Sequence, residues 1–336
     1  MAEGEMKMFR MILAAGLICA SLVSANAGVP ARTLLDFDGD GKTDYVSVRT
    51  QSGQFMWYAL QTSTYRAQQW GQSDGSANRD RQVPADYDGD GKWDFAIWRP
   101  GVQAYFYILR SGTNTVQVVP WGSTDDHPYE TQDFDGDGRA DPTIVRGFGG
   151  TGVETWYIKQ SLSNDMRVVQ FGDANQDSPI RGDFDGDGKA DPAVYRRDNG
   201  NPANTFMVLR STTNSVQLQQ FGRFDRDWIL PGDFDGDGKT DFAVWRGASA
   251  QGDGYWYWMN SSNGTVSGLP FGLAAIDVPA VGDYDGDGRS DQAVVRPGVP
   301  FGTQSYFYAN RSGSSFTGIA WGLGGDNIPA FDLQTR

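Results

Sequence analysis

A nine-residue string, Asp-x-Asp-Gly-Asp-Gly-(Lys/Arg)-x-Asp, occurs six times, beginning at Asp36, Asp86, Asp133, Asp183, Asp233 and Asp283. Its residue types and spacing fit a hard-cation site. Carboxylates at alternate positions of a tightly curled loop converge on one point, and glycine at the sixth position permits the sharp turn. Carboxylate and carbonyl oxygens without His or Cys select calcium, and less well magnesium or manganese, over zinc or copper. Four carboxylates held within several ångströms repel one another unless protonated or neutralised, which argues against metal-free acidic turns. In the first loop the expected ligands are Asp36, Asp38, Asp40, the backbone carbonyl of Lys42, and Asp44. The same positions are Asp86, Asp88, Asp90, Lys92 and Asp94 in the second loop, and Asp133, Asp135, Asp137, Arg139 and Asp141 in the third. They are Asp183, Asp185, Asp187, Lys189 and Asp191 in the fourth, and Asp233, Asp235, Asp237, Lys239 and Asp241 in the fifth. The sixth has Asp283, Asp285, Asp287, Arg289 and Asp291, so up to six calcium ions are expected.

The elements that must position these loops repeat with them. Successive strings are 50, 47, 50, 50 and 50 residues apart, the mark of one structural unit used six times. After each string comes a short strand ending in arginine, at Arg49, Arg99, Arg146, Arg196, Arg246 and Arg296. An aromatic strand follows, such as Tyr255-Trp256-Tyr257-Trp258, and then a third strand closing on an aromatic-Gly pair, from Trp70-Gly71 to Trp321-Gly322. A fourth, often containing proline, leads into the next loop. Four short strands per unit, turn residues between them and no amphipathic helical window predict an all-β fold. Aromatics filling both faces of a strand suit a sheet sandwiched between two others. The expectation is one β-propeller domain over residues 28–336, with six four-stranded blades; seven blades, one incomplete, is the alternative, and an open solenoid would have shorter rungs. Asn327 to Asp332 and Val29 to Leu35 compete for one strand position, or the first supplements the second to lock the ring. Position 12 of an EF-hand loop carries a bidentate glutamate. Here it holds Ser47, Ile97, Ile144, Val194, Val244 and Val294, so the ninth-position aspartate is expected to take over that role.

Residues 1–27 read as a secretory signal peptide, with a basic start at Lys7 and Arg10, an apolar stretch from Met11 to Ala20, and Ala25-Asn26-Ala27 before the cut. The apolar run is too short for a membrane span. The lone Cys19 lies inside it, which leaves the exported chain without disulfides and in need of another staple; bound metal supplies one. The expected location is extracellular or periplasmic. The formal charge of −14 is largely ligand charge, since six divalent cations would bring it to −2. No basic stripe with interleaved aromatics supports nucleic acid as a partner, and nothing supports membrane insertion.

With its six strings, six arginines and six aromatic-Gly pairs, the chain resembles FG-GAP/VCBS-type repeat proteins, whose calcium loops are similar to those of the integrin α-subunit propeller. The resemblance implies a calcium-binding propeller with all loops on one face of the disc. It does not imply one activity, because relatives include adhesion receptors, lectins and polysaccharide lyases. The expected function is a binding or adhesion module for glycans or a surface protein, using rim loops or clefts between blades. A calcium-assisted carbohydrate-active enzyme, lyase or hydrolase, is the alternative. No residue is assigned as catalytic. His127, the single histidine, together with Glu130 and Glu154 in the same repeat, makes the best case for catalysis, though loop residues of these types are ordinarily solvated. The arginines are expected to satisfy carbonyls or aspartates between blades. Trp228, with Arg226 beside it, and His127 are the candidate ligand-binding residues. Arg181-Gly182-Asp183 spells an adhesion tripeptide by coincidence, since Asp183 opens a metal loop.

Overall fold

The computed structural model describes residues 33–62, 64–73, 79–197, 203–223, 226–247, 252–311 and 316–331. Residues 1–27, read above as a signal peptide and containing Cys19, lie outside the described residues, as does Asp332. The chain forms six antiparallel sheets. The first blade contains β1 (Tyr45–Gln51), β2 (Gln54–Leu60) and β3 (Tyr65–Gln72). The second contains β4 (Arg81–Gln82), β5 (Phe95–Arg99), β6 (Tyr105–Leu109) and β7 (Val116–Pro120). The third contains β8 (Thr143–Arg146), β9 (Val153–Lys159) and β10 (Met166–Asp173). The fourth contains β11 (Asp177–Ile180), β12 (Ala193–Arg196), β13 (Ala203–Leu209) and β14 (Val216–Arg223). The fifth contains β15 (Asp227–Ile229), β16 (Phe242–Arg246), β17 (Asp253–Met259) and β18 (Val266–Leu273). The sixth contains β19 (Val278–Pro279), β20 (Gln292–Arg296), β21 (Gln304–Asn310) and β22 (Thr317–Leu323).

This is the six-bladed propeller that the repeat predicts, with two blades whose innermost strand is reduced to a bridge. In the third blade His127 pairs with Val145 alone. The reason is one extra residue: seven positions separate Asp126 from Asp133, against six between Asp177 and Asp183, and the surplus is absorbed in a turn at Tyr129–Glu130. In the first blade the innermost position is filled from far along the chain. Asn327 and Val48 exchange both backbone hydrogen bonds, at 2.8 and 2.9 Å. Leu34 and Leu35 instead lead directly into the first loop, where the Asp44 N–H reaches the Leu35 carbonyl.

Strand composition follows position in the blade. The second strands, such as β5 and β16, are buried on both faces over four consecutive residues, whereas the outermost strands alternate exposed with half-buried. Trp57, Trp98, Trp156 and Trp245 are fully buried, and each indole N–H donates to the carbonyl of the aromatic residue that precedes its blade's closing glycine. That glycine has a reason beyond the turn. A Cβ on Gly71 would lie 2.9 Å from Ile97, and one on Gly272 would lie 2.8 Å from Val294. The position-12 side chains are therefore blade-to-blade packing residues, each fitted against the aromatic-Gly pair of the preceding blade. Among the described residues no helix is long and apolar enough to cross a membrane.

Closure of the ring rests on Asp326, which accepts two hydrogen bonds from Arg49 at 2.8 Å each and a third from the Leu323 N–H. Replacing Asp326 with Ala should lower the unfolding free energy by about 2 kcal/mol, the scale of hydrogen bonds to a charged group, as read from urea denaturation.

Candidate cation sites and inter-blade clefts

Each loop leads into the second strand of its blade and is hydrogen-bonded to the loops on either side of it, so all six lie on one face. In the second loop Asp86 accepts the Gly89 N–H at 2.6 Å and the Gly91 N–H at 2.9 Å, which curls the chain around its carboxylate. Asp90 accepts the Lys92 N–H at 2.9 Å. Asp94, fully buried, accepts the Tyr87 N–H at 2.9 Å on one oxygen and the Ser111 N–H at 2.6 Å on the other. The pattern recurs from loop to loop. Carboxylate oxygens of Asp36, Asp38 and Asp40 lie within 4.8 Å of one another, as do those of Asp86, Asp88 and Asp90. In the next three loops the clustered acids are at positions 1, 3 and 9: Asp133, Asp135 and Asp141; Asp183, Asp185 and Asp191; Asp233, Asp235 and Asp241. Several of these groups could hold a metal ion. One oxygen each of Asp88 and Asp185 is buried with no hydrogen-bond partner, which a cation inside the loop would satisfy. The side chains of Lys42, Lys92, Arg139, Lys189, Lys239 and Arg289 leave their own loops and lie across the position-4 glycine of the preceding one. These residues can thus offer their own loop only a main-chain carbonyl.

Burial dominates the electrostatics. It raises the ninth-position carboxyl to about 8 in Asp44, about 7 in Asp141, and about 6 in Asp94, Asp191 and Asp241, with neighbouring loop carboxylates adding to it. Asp36, Asp133, Asp183, Asp233 and Asp283 shift upward for the same reason. A second set of polar groups covers the loops from above. The hydroxyls of Ser111, Ser161, Ser211 and Ser261 donate to Asp90, Asp137, Asp187 and Asp237 at 2.8–3.0 Å, from the turn between the third and fourth strands. Sequence reasoning missed them, although four serines spaced 50 residues apart were the available signal.

The opposite face carries the arginines. Each makes a bidentate pair with an aspartate of its own blade: Arg49–Asp326, Arg99–Asp80, Arg146–Asp126, Arg196–Asp177, Arg246–Asp227 and Arg296–Asp277, all at 2.7–2.8 Å through Nε. The expectation of pairing between blades is corrected here. The acid comes from the innermost strand of the same sheet, or from the residue just before it, which lies closer than any neighbouring blade. Five of the guanidinium groups also stack on a tyrosine of the third strand, among them Arg99 on Tyr107, Arg246 on Tyr257 and Arg296 on Tyr308 at 4.7–5.0 Å. In the second, fifth and sixth blades a further tyrosine extends this ledge toward the rim, Tyr105, Tyr255 and Tyr306, with ring centroids 6.2 Å from the first. Tyr255 and Tyr306 are exposed. In the sixth blade Phe316 continues the ladder, stacked on Tyr308 and touching Phe271 of the preceding blade.

The third-blade residues are not solvated loop groups. His127, Glu130 and Glu154 are all buried, because the strand-breaking turn folds Glu130 inward and Glu154 faces the fourth blade. His127 Nε2 lies 3.6 Å from a Glu130 oxygen, and neither Glu154 oxygen has a partner. Burial, reinforced by the charges of Asp177 and Glu130, pushes Glu154 up to about 8. Trp228 is half exposed on β15 but rests against Phe331 at 4.9 Å, and Arg226 lies in the turn before it, its carbonyl accepting from Gly247. Arg181 is buried and donates to the carbonyls of Tyr129 and Thr131, so the adhesion-like tripeptide is not displayed.

An FG-GAP-like repeat model matches residues 36–97 and 233–294. Similar solved structures include a mutant of the Aleuria aurantia lectin in complex with alpha-methyl-L-fucoside, at 10% identity and TM-score 0.44, covering 88% of this chain and 98% of that one. A mutant of AofleA from Arthrobotrys oligospora aligns at 10% identity and TM-score 0.45, over 85% and 88% of the two chains. The β-propeller domain of the Trilobed protease from Pyrococcus furiosus aligns at 13% and 0.43, over 83% and 84%. No curated protein matches.

Two stability measurements follow from the charge geometry. The ninth-position carboxyls of Asp44, Asp94, Asp141, Asp191 and Asp241 have folded-state values above their ordinary 3.8, so their contribution is full below that pH and lost as pH rises through 6–8. Chelator-treated protein should therefore melt at a lower temperature at pH 8 than at pH 5, and added calcium should restore the loss at pH 8. Glu154 behaves likewise between its ordinary 4.5 and about 8. Glu154→Gln should leave stability at pH 4 nearly unchanged and raise it above the parent at pH 9, read from melting curves at both values.

Proposed function

We propose that this chain is an exported, calcium-stabilised propeller that recognises glycans in the clefts between its blades. The observation that carries the reading is the repeated ledge of an aspartate-held arginine stacked on tyrosine, extended by exposed Tyr255 and Tyr306. A sugar ring offers an apolar C–H face to an aromatic platform and hydroxyls to a guanidinium, which the buried carboxylate behind it holds in place. The ledges recur around the disc, so one branched or repeating glycan could engage several at once, which multiplies weak contacts into avidity. Calcium in this reading holds the opposite face rigid and does not touch the sugar. Export rests on the leader-like composition of residues 1–27.

The enzymatic alternative has one observation in its favour, the buried trio His127, Glu130 and Glu154 where the repeat is broken. The two readings separate experimentally. On a glycan array, Tyr255→Ala and Tyr306→Ala should each weaken binding by about tenfold, the scale of one aromatic contact of ~1.4 kcal/mol. Glu154→Gln should leave binding intact. Absence of binding to any glycan, or binding that persists when both tyrosines are gone, would sink the proposal; polysaccharide turnover abolished by Glu154→Gln would favour the enzyme, and capture of a surface protein through other residues would redirect it.

A further inference from the structure

We infer that the six loops take up cations cooperatively, because they are wired to one another in a closed ring. This rests on the calcium reading above. The N–H at position 8 of each loop donates to the position-1 carbonyl of the preceding loop: Trp93 to Asp36, Ala140 to Asp86, Ala190 to Asp133, Thr240 to Asp183 and Ser290 to Asp233, at 2.5–2.7 Å. Thr43 donates to Asp283 at 2.6 Å and joins the first loop to the last. Two of the links are doubled, since the hydroxyls of Thr43 and Thr240 accept the N–H of Asp283 and Asp183. A second strap runs alongside: the aliphatic stem of each position-7 Lys or Arg lies 2.7–3.1 Å from where a Cβ on the preceding loop's position-4 glycine would sit.

The placement of these links makes them a coupling device. Position 1 is the residue whose carboxylate gathers its own loop, through the N–H groups of positions 4 and 6. Position 8 lies between the position-7 carbonyl and the position-9 carboxylate of the next loop. A cation that fixes position 1 in one loop thereby orders the backbone between two donor groups of its neighbour. The neighbour then binds with less ordering still to be done, which is positive cooperativity without a change of fold. A ring has no end loop, so any partly loaded state has at least two boundaries between ordered and unordered loops. Nearest-neighbour coupling of this kind disfavours the intermediates and favours empty and full.

The test is calcium titration of the whole chain by calorimetry, with Asp135→Asn as the variant that disables one loop. Cooperative uptake predicts a Hill coefficient clearly above unity for the parent. In the variant, the midpoint of the five intact loops should rise by about fivefold or more, within the range of ordinary site-to-site coupling. Six equivalents bound with a Hill coefficient of unity, and a variant that loses one equivalent while the other five keep their affinity, would overturn the coupling and leave the calcium reading standing. No calcium bound by the folded parent would remove both. If Asp135→Asn does not fold, amide exchange at Ala140 and Ala190 serves instead: coupling requires both to gain protection together, and at sub-stoichiometric calcium in the same proportion as the other position-8 amides. Protection that appears loop by loop contradicts it.

Discussion

The carboxylate at the ninth position of each loop is driven out of water, and much of one face is arranged to compensate for it. Asp94, Asp141, Asp191, Asp241 and Asp291 are completely buried at the start of their blades' second strands. Burying an ionised group is unfavourable unless hydrogen bonds or opposite charge replace its hydration. In the four complete middle repeats two main-chain N–H groups approach each such carboxylate, one from the loop and one from the serine turn above. This requirement fixes the height of the turn, and with it where the third strand ends. It also sets the demand for positive charge inside the loop.

The two faces divide scaffold from individuality. On the loop side every unit repeats nearly the same atoms, because each loop must fit the next one around a ring. On the arginine side the pair to aspartate is constant but its surroundings are not. Tyr107 and Tyr105 in the second blade become Met207 and Thr205 in the fourth. Binding surfaces arise where a constant frame presents variable side chains, and the fourth blade shows how little the frame depends on the tyrosine. The position-12 residues belong to the frame. They stand where another loop family keeps its last ligand, yet here they serve as the contact between neighbouring sheets.

Period, strand order and blade number were legible in the sequence because they are written six times in local strings. The acidic partners of the arginines were not. Asp80, Asp126, Asp177, Asp227, Asp277 and Asp326 are followed by Arg81, His127, Ser178, Trp228, Val278 and Asn327, so only their place between the aromatic-Gly pair and the next string could have marked them, and their pairing across the sheet reveals the class. The burial of His127 and Glu130 was equally hidden, since a single extra residue turned a strand inward and no propensity encodes that. Closure through Asn327 and Val48 is a contact between distant segments, and the sequence could only set two candidates for one place side by side.

That closure bears on how the molecule is made. The innermost strand of the first blade lies 277 residues downstream of the arginine it meets. A ribosome delivers β1, β2 and β3 long before Asp326 and Asn327 exist, and until then β1 keeps an open hydrogen-bonding edge. Five blades can be built in order while the oldest waits for the youngest segment. An unpaired edge of that kind is a template for joining another chain, so the interval before the last strand arrives is when two nascent copies are most exposed to exchanging it.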